Sequence, residues 1–250
     1  MLSLPLLALT LATFLLGGLV KGALGLGLPV IVLAVLAPTL GLKTALAVFL
    51  IPAILSNIWQ ALAGPALREL LARLWPFLGA AVLGIWIGTG VLASAETRWL
   101  EAMLGGLLIA YAAVALLTPQ IPPPGRHERW MSPAAGGLAG VLFGGTGLFI
   151  VPGILYLQAL GLRRDVFVQA LGLTFVTISI SLGAGMASRA LLTVETAQLS
   201  ALAVVPTFLG LAIGRRLRGK VSEGQFRKLF FFGLFLVGTY MIATALAPPF

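Results

Sequence analysis

The chain has 250 residues, of which 60% are hydrophobic and only 9% charged, with a formal net charge of +9 and no cysteine. A soluble domain carries about 25% charged residues, so this chain lacks the polar surface to cover a globule in water and reads as an integral membrane protein. The lack of cysteine excludes disulfides, thiolate nucleophiles and cysteine metal sites; Lys and Arg gathered in short connections, without a basic stripe carrying aromatics, exclude nucleic acid as a partner.

The N-terminus, MLSLPLLALT, has no Lys or Arg ahead of its apolar core and reads as the first membrane segment rather than a secretory leader. A bilayer core of about 30 Å takes roughly 20 apolar residues in a helix. That ruler marks eight segments, at about 4–37, 44–63, 75–93, 99–118, 134–158, 166–188, 196–213 and 229–247. The first is too long for one straight span, since it would reach roughly 50 Å if fully helical. It must tilt, break or double back, and Gly22 to Pro29 is the place. The fifth segment, 134–158, has a matching interruption at Gly144 to Pro152.

Between the fourth and fifth segments lies TPQIPPPGRHERWMSP, 118–133, rich in proline and charge. It divides the chain into a first transmembrane repeat, 1–118, a Pro-rich linker, 119–133, and a second repeat, 134–250. The repetition is visible at an offset of 120: Gly17 aligns with Gly137, Gly25 with Gly145, Gly27 with Gly147, and LGLK at 40–43 with LGLR at 160–163. Near the ends Ser94 aligns with Ser222, and the offset has grown to 128. The fold class expected is therefore all-α and polytopic, with about eight hydrophobic helical segments in two homologous halves. The first segment of each half is broken at a Gly/Pro motif.

Positive charges set the topology. If all eight segments cross, ten Lys and Arg face one side and five the other. If the first segment of each half is instead a re-entrant hairpin, the halves become inverted and the split is twelve against three, with Lys43, Arg98 and Arg189 outside. Both arrangements put the loop 215–228 in the cytoplasm and both termini outside, and the choice between them stays open.

Helix breaks inside apolar runs are where polar chemistry can be offered without full charges. A half-helix starting after a break presents unpaired N–H groups, and its positive end favours an anion. Gly22, Pro29, Gly144 and Pro152 read as the structural breaks; Gly25, Gly27, Gly145, Thr146 and Gly147 read as donors to a substrate. The competing reading of the glycines is close helix packing, for which Gly18 and Gly22, or Gly140 and Gly144, have the spacing. Lys21 is the basic residue embedded in a membrane segment, a costly placement that marks a functional candidate, although it could also reach an interface. Asn57 and Thr177 align in the repeat, can donate to an oxyanion, and complete the expected substrate-binding set; hydrogen bonding between helices is the alternative for each.

All seven acids (Glu69, Glu96, Glu101, Glu128, Asp165, Glu195, Glu223) lie in or near connections. A proton relay or a cation site would usually place a carboxylate inside the membrane. The single histidine, His127, is in the linker. No catalytic residues, metal site or cofactor are expected, and no GxxxxGK[ST] loop points to an ATPase.

The broken first helix of each half (G-x-x-x-x-G-x-x-G-x-G-x-P at 17–29 and GGTGLFIVP at 144–152), the LGL-basic connections and the basic loop before the last helix resemble the sulfite exporter TauE/SafE family of membrane permeases. The resemblance covers nearly the whole chain. It implies a secondary carrier in a bacterial inner membrane for small sulfur-containing or organic anions such as sulfite and sulfonates, with Pro29 and Pro152 and their Gly-rich turns as the matching motif residues. Partners expected are the small anion and membrane lipid, with further copies of the chain left open. An anion channel, a transporter of another solute and a non-transport membrane protein are the alternatives.

Overall fold

The computed structural model describes residues 3–117, 122–217 and 223–246. Pro119 of the linker, and Arg218, Lys220 and Ser222 of the basic loop, lie outside the described residues. Every regular element among the described residues is helical. In chain order these are α1 (Leu4–Leu24), α2 (Leu28–Leu40), α3 (Leu42–Leu62), α4 (Leu67–Ser94), α5 (Thr97–Leu117), α6 (Glu128–Thr146), α7 (Leu155–Ala159), α8 (Arg164–Ala187), α9 (Val194–Leu202), α10 (Val204–Leu217) and α11 (Glu223–Leu246). A 3-10 turn, Gly125–His127, precedes α6 and a π turn, Ile150–Ile154, precedes α7. Among the described residues, five helical stretches are long and apolar enough to cross a bilayer: α1, α3, α4, α8, and α9 with α10.

The contacts gather into two units, and neither is one half of the sequence. The first takes residues 1–52, 96–117 and 192–250; the second takes 53–95 and 118–191. Each draws on segments from both sides of the linker, and α3 passes from the first unit to the second after Pro52.

In the first unit α1 ends where Gly25 takes a left-handed conformation (φ 85°) and gives its N–H to the Lys21 carbonyl. The chain then doubles back, so that α2 lies along α1; a side chain at Gly17 would meet Leu28 and Val32. On another face α1 carries α10. Side chains at Gly18 and Gly22 would land on the backbones of Thr207 and Leu211, and those at Gly210 and Gly214 on Leu15 and Leu19. Numbers rise together along both helices, so α1 and α10 run the same way. Helices α5 and α11 meet where Gly105 and Gly238 each press on the other's carbonyl. Because Pro52 has no N–H, the Val48 carbonyl loses its partner within α3. The buried Ser200 hydroxyl of α9 fills the gap, donating to Val48 O at 2.7 Å and accepting from the Ile51 N–H at 3.1 Å.

In the second unit α4, about 42 Å long by its 28 residues, is interleaved with α6. Gly136 sits on the Phe77 backbone, Gly140 on Ala81 and Gly144 on Ile85, while Gly84 and Gly88 receive Gly137 and Val141. Helix α8 is held to the α3–α4 turn by the buried Gln169. Its Nε2 donates to Ala61 O (2.8 Å) and Gly64 O (2.6 Å), and its Oε1 accepts from Ala66 N–H at 3.0 Å. At the far end Gly185 meets Thr89. Helices α4, α6 and α8 therefore all run in one direction. For α6 and α8 to do so, the chain between them must return, and it does: Gly153 lies against Ala139. Phe149, after the break, packs edge-on against Phe77, Phe143 and Phe175 at 5.7, 5.9 and 6.2 Å.

Candidate functional site

Each unit holds one break. In the first, Lys21 occupies the last turn of α1, is 5% exposed, and lends its carbonyl to the Gly25 cap. Gly27 (φ 117°) is the N-cap of α2, and its carbonyl takes the Ile31 N–H. Both glycines adopt backbone angles that a residue with a Cβ reaches only under strain. Pro29, second in α2, has no N–H to pair. Gly22 belongs to the α1–α10 contact. Lys21, Gly25 and Gly27 are thus brought together at one buried turn.

In the second unit Gly147 (φ 76°) caps α6 through a bond from its N–H to the Phe143 carbonyl. Gly144 and Gly145 lie in the last turn against Gly88 of α4. Thr146 is buried; its hydroxyl donates to Leu142 O at 2.7 Å and receives the Leu148 N–H at 3.3 Å. Pro152 follows in the π turn, where Val151 leaves the helical region (φ −111°, ψ 122°). Asn57 is buried in the second-unit part of α3. Thr177 of α8 is half-buried and donates to the Leu173 carbonyl at 2.9 Å. As placed, the hydroxyl protons of Thr146 and Thr177 are both used inside their own helices.

The caps also allow the two glycine-rich turns to be paired in a second way. Gly147 does for α6 what Gly25 does for α1, an offset of 122 (147 − 25) rather than 120. The packing glycines agree, since Gly18 and Gly22 correspond to Gly140 and Gly144 at the same offset. So do the first bonds of α3 and α8, Ala45 N–H to Gly41 O and Phe167 N–H to Arg163 O. In this register Lys21 corresponds to Phe143, and Asn57 to Ser179.

Among the described residues of the second unit, five buried side-chain oxygens have no hydrogen-bond partner: those of Ser132, Tyr156, Thr174, Ser179 and Ser181. Thr10, Thr13 and Thr207, by contrast, return their protons to the carbonyl four residues back. Unpaired buried hydroxyls are rare and call for a water or ligand. Nothing in the sequence separates Thr174, Ser179 and Ser181 from other polar residues of an apolar helix. Near the start of α6, Arg73 of α4 grips Glu128 with both arms of its fork, Nε to Oε1 at 2.7 Å and Nη2 to Oε2 at 2.9 Å. That hydrogen bond, outweighing partial burial, holds the Glu128 carboxyl below the usual carboxylate range. Among the described residues no three His, Asp or Glu side chains come together as metal ligands would.

A family model described as "Sulfite exporter TauE/SafE" matches residues 9–241. No curated protein and no solved structure matches the chain.

Proposed function

The chain belongs to the sulfite exporter TauE/SafE family, and on that premise we propose that it is a secondary carrier passing sulfite or a small sulfonate across the membrane by alternating access. The family is one of membrane transporters of sulfite-type anions rather than of enzymes, and the apolar helices of the chain suit a multi-pass membrane protein.

The observation that carries the finer reading is the pair of buried helix breaks in a chain whose acids lie in connections or near helix ends. Gly27 stands at the start of α2, the positive end of that helix, while Gly25 and Gly147 turn the chain with their N–H groups given to the caps of α1 and α6. Dipoles and N–H groups of this kind attract an oxyanion without the desolvation cost of several buried cations. Lys21 adds charge at the first break. Gly145, Thr146 and Thr177 serve from the second unit, with Asn57 lining the path. The Thr146 and Thr177 hydroxyls must turn away from their own helices to donate.

The common direction of α4, α6 and α8 favours the arrangement in which the first segment of each half is a hairpin. The chain then crosses six times, the halves are inverted, and one can rock against the other as inverted repeats do. On this reading the protein sits in a bacterial inner membrane with the loop 215–228 inside and both termini outside.

Purified protein in liposomes tests the reading. Sulfite flux is expected to saturate and to show counterflow, which a channel does not. Lys21→Ala and Asn57→Ala are expected to lower the flux about tenfold or more, the scale of one lost charged hydrogen bond. Liposomes that move neither sulfite nor a sulfonate sink the proposal.

A further inference from the structure

Away from both breaks, one end of the second unit gathers polar groups that no substrate path yet uses. Arg73 and Phe77 lie one turn apart on α4, and Glu128 and Ser132 one turn apart on α6. Tyr156 of α7 closes the triangle. Its ring stacks on Phe77, with centroids 5.1 Å apart and planes at 21°. Ser132 is the hydroxyl that neighbours the Tyr156 hydroxyl, and both Arg73 and Glu128 are near enough to act on it electrostatically. Ser132 is 4% and Tyr156 5% exposed, yet neither hydroxyl has a hydrogen-bond partner. The Arg73 and Glu128 side chains are 37% and 30% exposed, so this end opens to water.

A guanidinium fork beside two unpaired buried hydroxyls is a donor set with one internal acceptor, the Glu128 carboxylate. We propose that Arg73, Tyr156 and Ser132 form an oxyanion-binding site at the mouth of this unit, with Glu128 as its resident competitor. An incoming sulfite or sulfonate presents three oxygens. Two take the Arg73 fork in the geometry Glu128 now uses, and the third accepts from the Tyr156 and Ser132 hydroxyls once Glu128 swings out. Neutral hydroxyls and one cation whose own partner must be displaced give a site that captures an anion and also releases it. The assignment of the ligand class rests on the transport reading above; the donor set does not.

The test is titration of sulfite and of methanesulfonate onto purified full-length protein. Arg73→Gln is expected to raise Kd about tenfold or more, and Tyr156→Phe and Ser132→Ala about two- to tenfold each. Glu128→Gln is expected to tighten binding severalfold by freeing the fork. If the Arg73–Glu128 pair were only a structural tie, both of its variants would shift Kd the same way or not at all. That result overturns the proposal, as does an unchanged Kd in Tyr156→Phe or a wild type that binds neither anion saturably. Tyr156→Phe keeps the stacked ring, so it remains readable if Arg73→Gln folds poorly. Wild-type flux with unaltered binding in Tyr156→Phe fails this site alone; binding as expected without flux fails the transport reading alone.

Discussion

At the scale of single residues, one hydroxyl keeps α3 whole. Ser200 supplies the Val48 carbonyl with the donor that Pro52 cannot, and takes the Ile51 N–H as well. Removing it leaves the Val48 carbonyl without its donor, a loss of about 1–3 kcal/mol. Ser200→Ala is therefore expected to lower stability by that order in detergent unfolding, and an unchanged midpoint would show that the gap closes without it. Pro52 is legible in the sequence as a break. Its remedy is not, because Ser200 lies 152 positions from Val48 and nothing local distinguishes it from any other serine in a span. Lys21 was legible for the opposite reason: a lone cation in an apolar run stands out whatever surrounds it. Gln169 shows the middle case, since its polarity is plain but its grip on Ala61, Gly64 and Ala66 is set by the fold.

Among elements, glycines sort into two jobs that spacing alone could not separate. Gly25, Gly27 and Gly147 turn the chain; Gly18, Gly22, Gly140 and Gly144 let helices touch. The i, i+4 spacing of the second set announces close approach, but not which helix approaches. Gly140→Ala puts a Cβ on the Ala81 backbone of α4, whereas at Gly137 the nearest atoms are 3.8 Å away. The first change is expected to cost about 1–3 kcal/mol by overpacking. The second is expected to be neutral or to stabilise by up to about 1 kcal/mol through helix propensity. Thermal unfolding of the two variants side by side measures this, and equal effects would contradict the α4–α6 contact. The glycine-capped ends of α1 and α6 stand out in the sequence because Gly is conspicuous in apolar runs.

For the whole molecule, the all-α class and the family were open to sequence reading because composition and the doubled motif extend over the full chain. The grouping of segments was not, since hydropathy marks spans and says nothing of their partners. Direction is now testable within the second unit. Arg68 is in the first turn of α4, while Arg189 bonds the Trp86 carbonyl at 2.9 Å, about 27 Å further along that helix. With α4 and α8 parallel, single cysteines at 68 and 189 are expected to take membrane-impermeant label from opposite sides, and the native chain contributes no cysteine of its own. Labelling from one side would return the balance to eight crossings. The pairing of α1 with α10 and of α4 with α6 also sets an order in time. When the ribosome has finished the fourth segment, the glycine faces of α1 and α4 are already in the membrane, and neither partner has been made. Newly inserted protein must hold those faces against lipid, or against the insertion machinery, until α6 and then α10 arrive to cover them. Assembly of this chain is completed by its second half, and a product truncated at the linker would be left with two open seams rather than half a carrier.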